Sequence, residues 1–222
     1  MYHLTESLKK MYPNAHIGIL ALRQVPNPSS HAGLEERKSQ LEADLRSRYD
    51  GFDRAGLKAL PVLQAYASYY KKFRKTYHVQ LQLESIVFKN KPIPSVAALV
   101  EAMFMAELDN QLLTSGHDLD LVQAPVSMGV ANGDETYTLF NGNQQQPQAG
   151  DMIIADQQGI LSSIIYGPDK RTRIRPETKS ALFTVYAPAG VEVPLIEKHF
   201  SDILSYVQLV TPNVVVETRQ VF

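Results

Sequence analysis

The sequence predicts an α+β protein, with a helical N-terminal half, then a mostly antiparallel β-meander and one C-terminal helix. Three observations carry this reading. Apolar residues between Leu34 and Leu113 recur at helical spacing. Those between Ala124 and Ala187 fall in short β-rich runs cut by turn dipeptides, and Pro194 to Val210 is amphipathic again. Helices and strands segregated along a chain indicate α+β rather than alternating α/β.

The elements follow in order. His16 to Arg23 is an apolar run in a short window and reads as a buried strand, ended by the Pro- and Ser-rich turn Gln24 to Ser30. Leu34 to Tyr49 carries Leu34, Leu41 and Leu45 on one stripe, with Glu42–Arg46 and Asp44–Arg48 at i,i+4, so it reads as a surface helix. Pro61 opens the next helix in its first turn, where a missing N–H costs nothing. Val62, Tyr66, Tyr69, Phe73 and Tyr77 follow at helical spacing.

A shorter helical piece is expected over Leu83 to Lys89. From Ser95 to Leu113 the chain is apolar on nearly every side, which places that helix in the centre of the fold. After His117 come the strands Ala124–Val130, Thr136–Phe140, Met152–Ala155, Ile160–Tyr166 and Ala181–Ala187. Asn132-Gly133, Asn141-Gly142 and Gln158-Gly159 supply turns between them. Gly142 to Gly150 is expected as a polar loop, and Val214 to Val216 as an edge strand. Nothing resembles a linker or an internal repeat, so residues 1–222 read as one domain.

Composition excludes several classes. Hydrophobic residues make up 44% and charged residues 20% of the 222, ordinary usage for a folded chain. With no cysteine there is no disulfide, thiolate metal site or cysteine nucleophile. MYHLTESLKK lacks the apolar core of a secretory signal, and the longest apolar stretch, Val96 to Leu108, is interrupted by Glu101 and Glu107. The chain reads as cytoplasmic, with no membrane partner. Its net charge of −1 gives no overall footprint for nucleic acid, although the first half is net basic and the second net acidic.

No GxxxxGK[ST], GxSxG, HExxH or GxGxxG is present, which argues against familiar kinases, hydrolases and dehydrogenases. Three polar clusters remain. Thr114-Ser115-Gly116-His117-Asp118-Leu119-Asp120 reads as a turn forming a pocket lip, with an imidazole, two carboxylates and two hydroxyls. Its plainer reading is an aspartate cap on a short helical turn around Leu121. A metal site is not expected, because the other five histidines are scattered.

The second cluster runs from Gly167 to Thr178 and holds four cations between Lys170 and Arg175. It suits a phosphate clamp, or else a solvated loop in which Asp169 and Glu177 pair locally. The third, Lys71-Lys72-Phe73-Arg74-Lys75, interleaves cations with an aromatic. Phe73 lies on the apolar stripe, so a solvated helix face is the better reading.

Taken together these pieces resemble a known family. Glu84-Ser85, Ile93-Pro94-Ser95 ahead of Leu99-Val100, and Gly116-x-Asp118-Leu119-Asp120 resemble the first half of the B3/B4 editing domain of the phenylalanyl-tRNA synthetase β chain. Ala131-Asn132-Gly133-Asp134-Glu135, Gly150-Asp151-Met152-Ile153-Ile154-Ala155-Asp156, Gly159, Arg171-Thr172 and Glu177-Thr178 resemble its second half. The likeness runs from about Tyr66 to Pro188, which leaves residues 1–60 as an N-terminal elaboration. The order and spacing of the pieces carry it.

The resemblance implies a B3/B4-like fold in freestanding form, and an activity on aminoacyl-tRNA: hydrolysis of a wrongly attached amino acid. An aminoacyl ester is already activated, so positioning water beside oxyanion donors suffices, and a pocket group must sieve the amino acid. On this reading Thr114, Ser115, His117, Asp118 and Asp169 form the pocket, with Asp118 fixing the turn. Lys170, Arg171, Thr172 and Arg173 meet tRNA phosphates. No cofactor or metal is implied.

Departures from the family pattern bear on specificity. The family has Gln-Pro-x-His-Ala-Phe-Asp at the turn, with its His lining the pocket. Anchored on Asp118, that position is Ser115, and His117 stands where the aromatic would be. The Gly-Gly-Glu whose carboxylate reads the tyrosine hydroxyl falls near Pro168 to Lys170, where Asp169 is the substitute. The chain is too short for the synthetase's remaining modules and is not a complete synthetase. The alternatives are a non-catalytic tRNA- or RNA-binding module, or a domain that binds an amino-acid-like small molecule. The oligomeric state is not legible.

Overall fold

The computed structural model describes residues 2–222 and is α+β. In chain order the elements are β1 (Tyr2–Leu4), α1 (Glu6–Met11), β2 (His16–Arg23), α2 (Ala32–Arg48), α3 (Arg54–Lys58), α4 (Pro61–Lys72), α5 (His78–Lys89) and α6 (Ala98–Asn110). Then come β3 (Leu113–Asp118), a 3-10 turn (Leu119–Leu121), β4 (Val126–Val130), β5 (Tyr137–Thr138), β6 (Gln144–Gln145), β7 (Met152–Asp156), β8 (Gly159–Ser163) and β9 (Gly167–Pro168). The chain closes with β10 (Ser180–Ala187), α7 (Val193–Val210) and β11 (Val215–Val221).

The strands form two main sheets. One has the order β11-β2-β10-β3 and is antiparallel throughout; β2 and β10 pair along their full lengths, from His16↔Ala187 to Arg23↔Ser180. The other has the order β1-β4-β7-β8-β9, antiparallel except for the parallel pair of β1 and β4. One buried cluster joins both sheets to α2, α4, α5, α6 and α7 through Leu34, Leu63, Val79, Leu99, Met128 and Ile196. The helix α7 lies so close over β2 that a Cβ at Gly18 would stand 2.6 Å from Phe200 Cζ, so only glycine fits there.

The α+β reading holds: β4, β7, β8 and β9 follow one another as an antiparallel meander, while β2 from the N-terminal third is a central strand of the other sheet and β1 joins the meander's edge. Three expectations need correction. The helix expected from Leu83 starts at His78, with Val79, Leu83 and Ile86 buried at i, i+4 and i+7. Gly142 to Gly150 is not all loop, because Gln144 and Gln145 pair with Thr138 and Tyr137.

The central helix is also shorter than Ser95 to Leu113. Before it, Ser95 Oγ accepts from Lys38 Nζ (2.7 Å), Val96 N–H donates to Glu101 Oε1 (2.7 Å) and Ala98 N–H to Pro28 O (3.0 Å). Asn27 Oδ1 accepts from Leu99 N–H at 2.9 Å, a remote side chain doing the work of an N-cap. At the other end Gln111 turns left-handed, with φ of 62°, while its carbonyl accepts from Tyr77 OH (2.9 Å) and its Nε2 donates to Tyr49 OH (2.7 Å).

Among the described residues no helix is long and apolar enough to cross a membrane, and no group of three or more His, Cys, Asp or Glu is placed to hold a metal ion.

Candidate active site

The helix α6 ends at Gln111 and the chain re-enters at once as β3, an edge strand of the first sheet. Thr114 to Asp118, expected as a turn, is therefore strand; the turn comes after it, at Leu119–Leu121. Asp118 Oδ1 accepts from Asp120 N–H (3.2 Å), and its Oδ2 accepts from Thr178 Oγ1 (2.8 Å). That is the capping arrangement expected of an aspartate here.

On its outer side β3 borders an apolar cavity of about 380 Å³, bounded by α6, β3, β8–β9 and the loop at Arg173–Ile174. Val96, Phe140 and Arg173 are exposed at the mouth, whereas Glu107, Ile164 and Tyr186 are buried. Gly116 widens it: a Cβ there would stand 2.9 Å from Ile174 Cδ1 and 3.2 Å from Met103 Sδ.

The backbone of β3 supplies polar groups to this wall. Thr114 N–H leaves the outer edge to Glu107 Oε1 (2.7 Å), and Asp118 N–H leaves it to Thr172 O (2.6 Å). Alternate residues of a strand face the same edge. Gly116 N–H therefore points outward between those two, and among the described residues no acceptor meets it.

Ser115 and His117 share the opposite face of β3. Ser115 Oγ bonds His117 Nε2, His117 Nδ1 lies 2.8 Å from Thr172 Oγ1, and Thr172 Oγ1 donates to Asp169 Oδ1. With Asp169 ionised, this order assigns the proton to His117 Nδ1, so Nε2 accepts from the Ser115 hydroxyl. Burial, and then the Arg171 charge, push His117 down to about 3, so the ring is neutral. Burial raises Asp169, against the hydrogen bonds from Thr172.

The residues singled out in the sequence are thus divided. Thr114 and Ser115 line the cavity, and Arg173 stands at its mouth. His117 is not on the cavity wall: it is completely buried behind Ser115. Asp169 is buried as well, as the far end of the same hydrogen-bonded chain.

The basic cluster is also divided. Thr172 is fully buried with its hydroxyl committed, so it presents nothing to a phosphate. Arg171 is tied to Asp156 Oδ1 (2.8 Å) and Leu121 O (3.0 Å). Lys170 and Arg173 are exposed and, among the described residues, form no ion pair. The Lys71–Lys75 face is partly engaged: Lys72 Nζ sits 4.9 Å from the Tyr12 ring centre and Lys75 Nζ 5.6 Å from that of Tyr166.

Sequence reasoning missed Glu107, which it took only as a break in an apolar stretch. A glutamate deep in an otherwise apolar helix was the available signal. Its carboxyl is buried and pushed up to about 8 by desolvation, against a single hydrogen bond from Thr114 N–H.

A family model described as B3/4 domain matches residues 62–201. A curated relative, the phenylalanine–tRNA ligase beta subunit of Mycoplasma genitalium, is 28% identical over 69 residues, 31% of this chain and 9% of that protein. A solved N-terminal fragment of the phenylalanyl-tRNA synthetase beta-subunit from Pyrococcus horikoshii aligns over 98% of this chain and 54% of its own, with a TM-score of 0.48 and 9% identity. This chain therefore spans a small part of the first and about half of the second. The family match runs from α4 into the first half of α7 and takes in the cavity and all of β3, and by it the chain belongs to the B3/4 domain family.

Proposed function

We propose that this chain binds the aminoacylated end of a tRNA and hydrolyses a mischarged aminoacyl ester in trans. The observation that carries this reading is the cavity itself. It is apolar, it is sized for an amino-acid side chain, and it opens beside a backbone donor that no acceptor meets among the described residues. Gly116 N–H is placed to stabilise the oxyanion that forms when water attacks an ester carbonyl. Ser115 Oγ donates its proton to His117, so its lone pairs are left to accept from that water. Because His117 is neutral and buried, its role is to hold Ser115 in one orientation, and it does not itself touch the substrate.

Lys170 and Arg173 are the cations left for the tRNA's terminal phosphates. The Lys170 ammonium lies beside Gly142, close along the chain to Phe140 at the cavity mouth. The family match and the curated relative, a tRNA ligase subunit, support the substrate class. On this reading the whole of 1–222 is one functional unit that acts in the cytoplasm.

The test is a deacylation screen of the purified chain against a panel of mischarged tRNAs. Hydrolysis of one or a few species, lost in Ser115→Ala, supports the proposal and names the substrate. Salt-dependent tRNA binding with no hydrolysis of any species replaces it with a binding module. The buried, neutral state of His117 is the observation that favours that second reading.

A further inference from the structure

Two glutamates of α6 are buried, and they are treated differently. Glu101 has a cation, Lys38 Nζ at 3.0 Å from its Oε2, and its Oε1 accepts from Val96 N–H at 2.7 Å. Both oxygens are satisfied, so its role is architectural. Glu107, two turns further on, has no cation. Its Oε1 accepts from Thr114 N–H, while among the described residues its Oε2 makes no hydrogen bond.

The residue is only 2% exposed, and it lines the cavity. A carboxyl half-satisfied against an apolar wall costs stability, and native structures rarely keep one without use.

We infer that Glu107 is the amino-group reader of the cavity, which takes an apolar α-amino acyl group whose ammonium pairs with Glu107 Oε2 while its carbonyl oxygen accepts from Gly116 N–H. This rests on the proposed function and deepens it by naming what the cavity recognises.

Spacing supports the assignment. Thr114 N–H, which fixes the carboxyl, and Gly116 N–H are two residues apart on one strand edge, about 6.7 Å. Both bonds leave that edge side by side, so Glu107 Oε1 and an oxygen on Gly116 N–H stand roughly that far apart, a gap that the carboxyl, one hydrogen bond of about 2.9 Å and a donor and acceptor a few bonds apart can span. The amino nitrogen and carbonyl oxygen of an α-amino acyl group are such a pair. The side chain then fills the apolar part, against Val100, Met103 and Ile164.

The other polar groups facing Glu107 leave this role to it. His78 on α5 is an exposed residue whose imidazole pKa is lowered by desolvation, Arg173 stands at the mouth, and Tyr66 and Tyr77 on the α4–α5 side give their hydroxyl protons to Tyr186 O and Gln111 O. None supplies a second carboxylate for an ammonium.

Binding of L-phenylalaninamide, L-leucinamide and their N-acetyl counterparts to the full chain, measured by calorimetry, tests this without tRNA. At pH 7 the free-amine amides should bind at least ten-fold more tightly than the acetylated ones, with release of the proton that burial holds on Glu107 in the empty cavity. Glu107→Gln, which keeps an oxygen for Thr114 N–H, should remove that preference. Equal affinity for both kinds of probe, or no binding of either, overturns the assignment whether or not the variant folds.

The tRNA screen separates the two proposals. If mischarged tRNA is hydrolysed equally by wild type and a folded Glu107→Gln variant, the amino-group role fails and the deacylase survives. If no tRNA is hydrolysed but the amine preference depends on Glu107, the deacylase fails and the reader survives.

Discussion

Lys38 Nζ lies 3.0 Å from Glu101 Oε2, a buried ion pair that ties α2 to α6 just ahead of the cavity wall. Lys38 also donates to Glu35 Oε1 (2.9 Å) and Ser95 Oγ (2.7 Å), so one ammonium satisfies three acceptors on two segments. Removing it leaves a buried carboxylate with no counter-charge. Lys38→Met should cost about 3–5 kcal/mol, read as a lower urea midpoint with an unchanged slope. A loss below about 1 kcal/mol would mean that water or a rearranged side chain replaces the ammonium.

Glu107 makes the opposite prediction in its pH dependence. Its folded-state value, about 8, lies above the ordinary 4.5, so the folded chain holds a proton there that the unfolded chain has lost. Stability from this group is present below about pH 4.5 and is lost as the pH rises through about 8. Glu107→Gln cannot ionise. Its melting temperature relative to wild type should therefore climb between pH 5 and pH 8.5, by an amount equivalent to a few kcal/mol. A constant difference across that range would place the Glu107 carboxyl in ordinary solvent.

Much of this fold was legible because apolar spacing survives into the structure. The stripe Leu34, Leu41, Leu45 is buried as a helix face, and His16 to Arg23 is a buried strand. The misses share a physical cause, which is partners distant in sequence. Nothing local marks Asn27 as the cap of α6, 72 residues away. Nothing local shows that the Tyr69 hydroxyl bonds Asp151 (2.8 Å) or that the Tyr70 hydroxyl bonds Ile164 O (2.7 Å); the tyrosines of α4 read only as an apolar stripe.

The site was half legible for a similar reason. Thr114 and Ser115 were found because they are polar in a conspicuous run, and His117 was drawn in with them. Ser115 and His117, two apart on β3, share one face, and only the packing around that face decides which of them borders the cavity and which is covered. Composition alone could not separate the hydroxyl on the cavity from the imidazole behind it.

The basic cluster should behave as two classes of residue rather than one. Lys170→Ala and Arg173→Ala should each weaken tRNA binding and lower the salt slope by about 0.7, as expected for loss of one contact to a single-stranded phosphate. Both proteins should melt like wild type. Arg171→Ala should instead lower stability by about 1–3 kcal/mol, because its guanidinium holds Asp156 and Leu121 O together. Filter binding at several salt concentrations, beside a thermal melt, separates the classes. An unchanged slope in the Lys170→Ala, Arg173→Ala double variant would remove this edge from the tRNA interface.

Gly116 tests the cavity wall with the least disturbance to the fold. The atoms a new Cβ would meet first, Ile174 Cδ1 and Met103 Sδ, lie far out on flexible side chains, so Gly116→Ala should fold at the low end of the overpacking cost, about 1 kcal/mol. Its N–H is kept, so the oxyanion donor survives while the space beside it shrinks. The expected result is a raised KM for the mischarged tRNA with kcat little changed, and Gly116→Val should exaggerate it. A fall in kcat at constant KM would mean that the strand edge itself had shifted, moving the donor rather than the wall. Unchanged kinetics in a folded Gly116→Val would show that the amino acid does not lie against this stretch of β3.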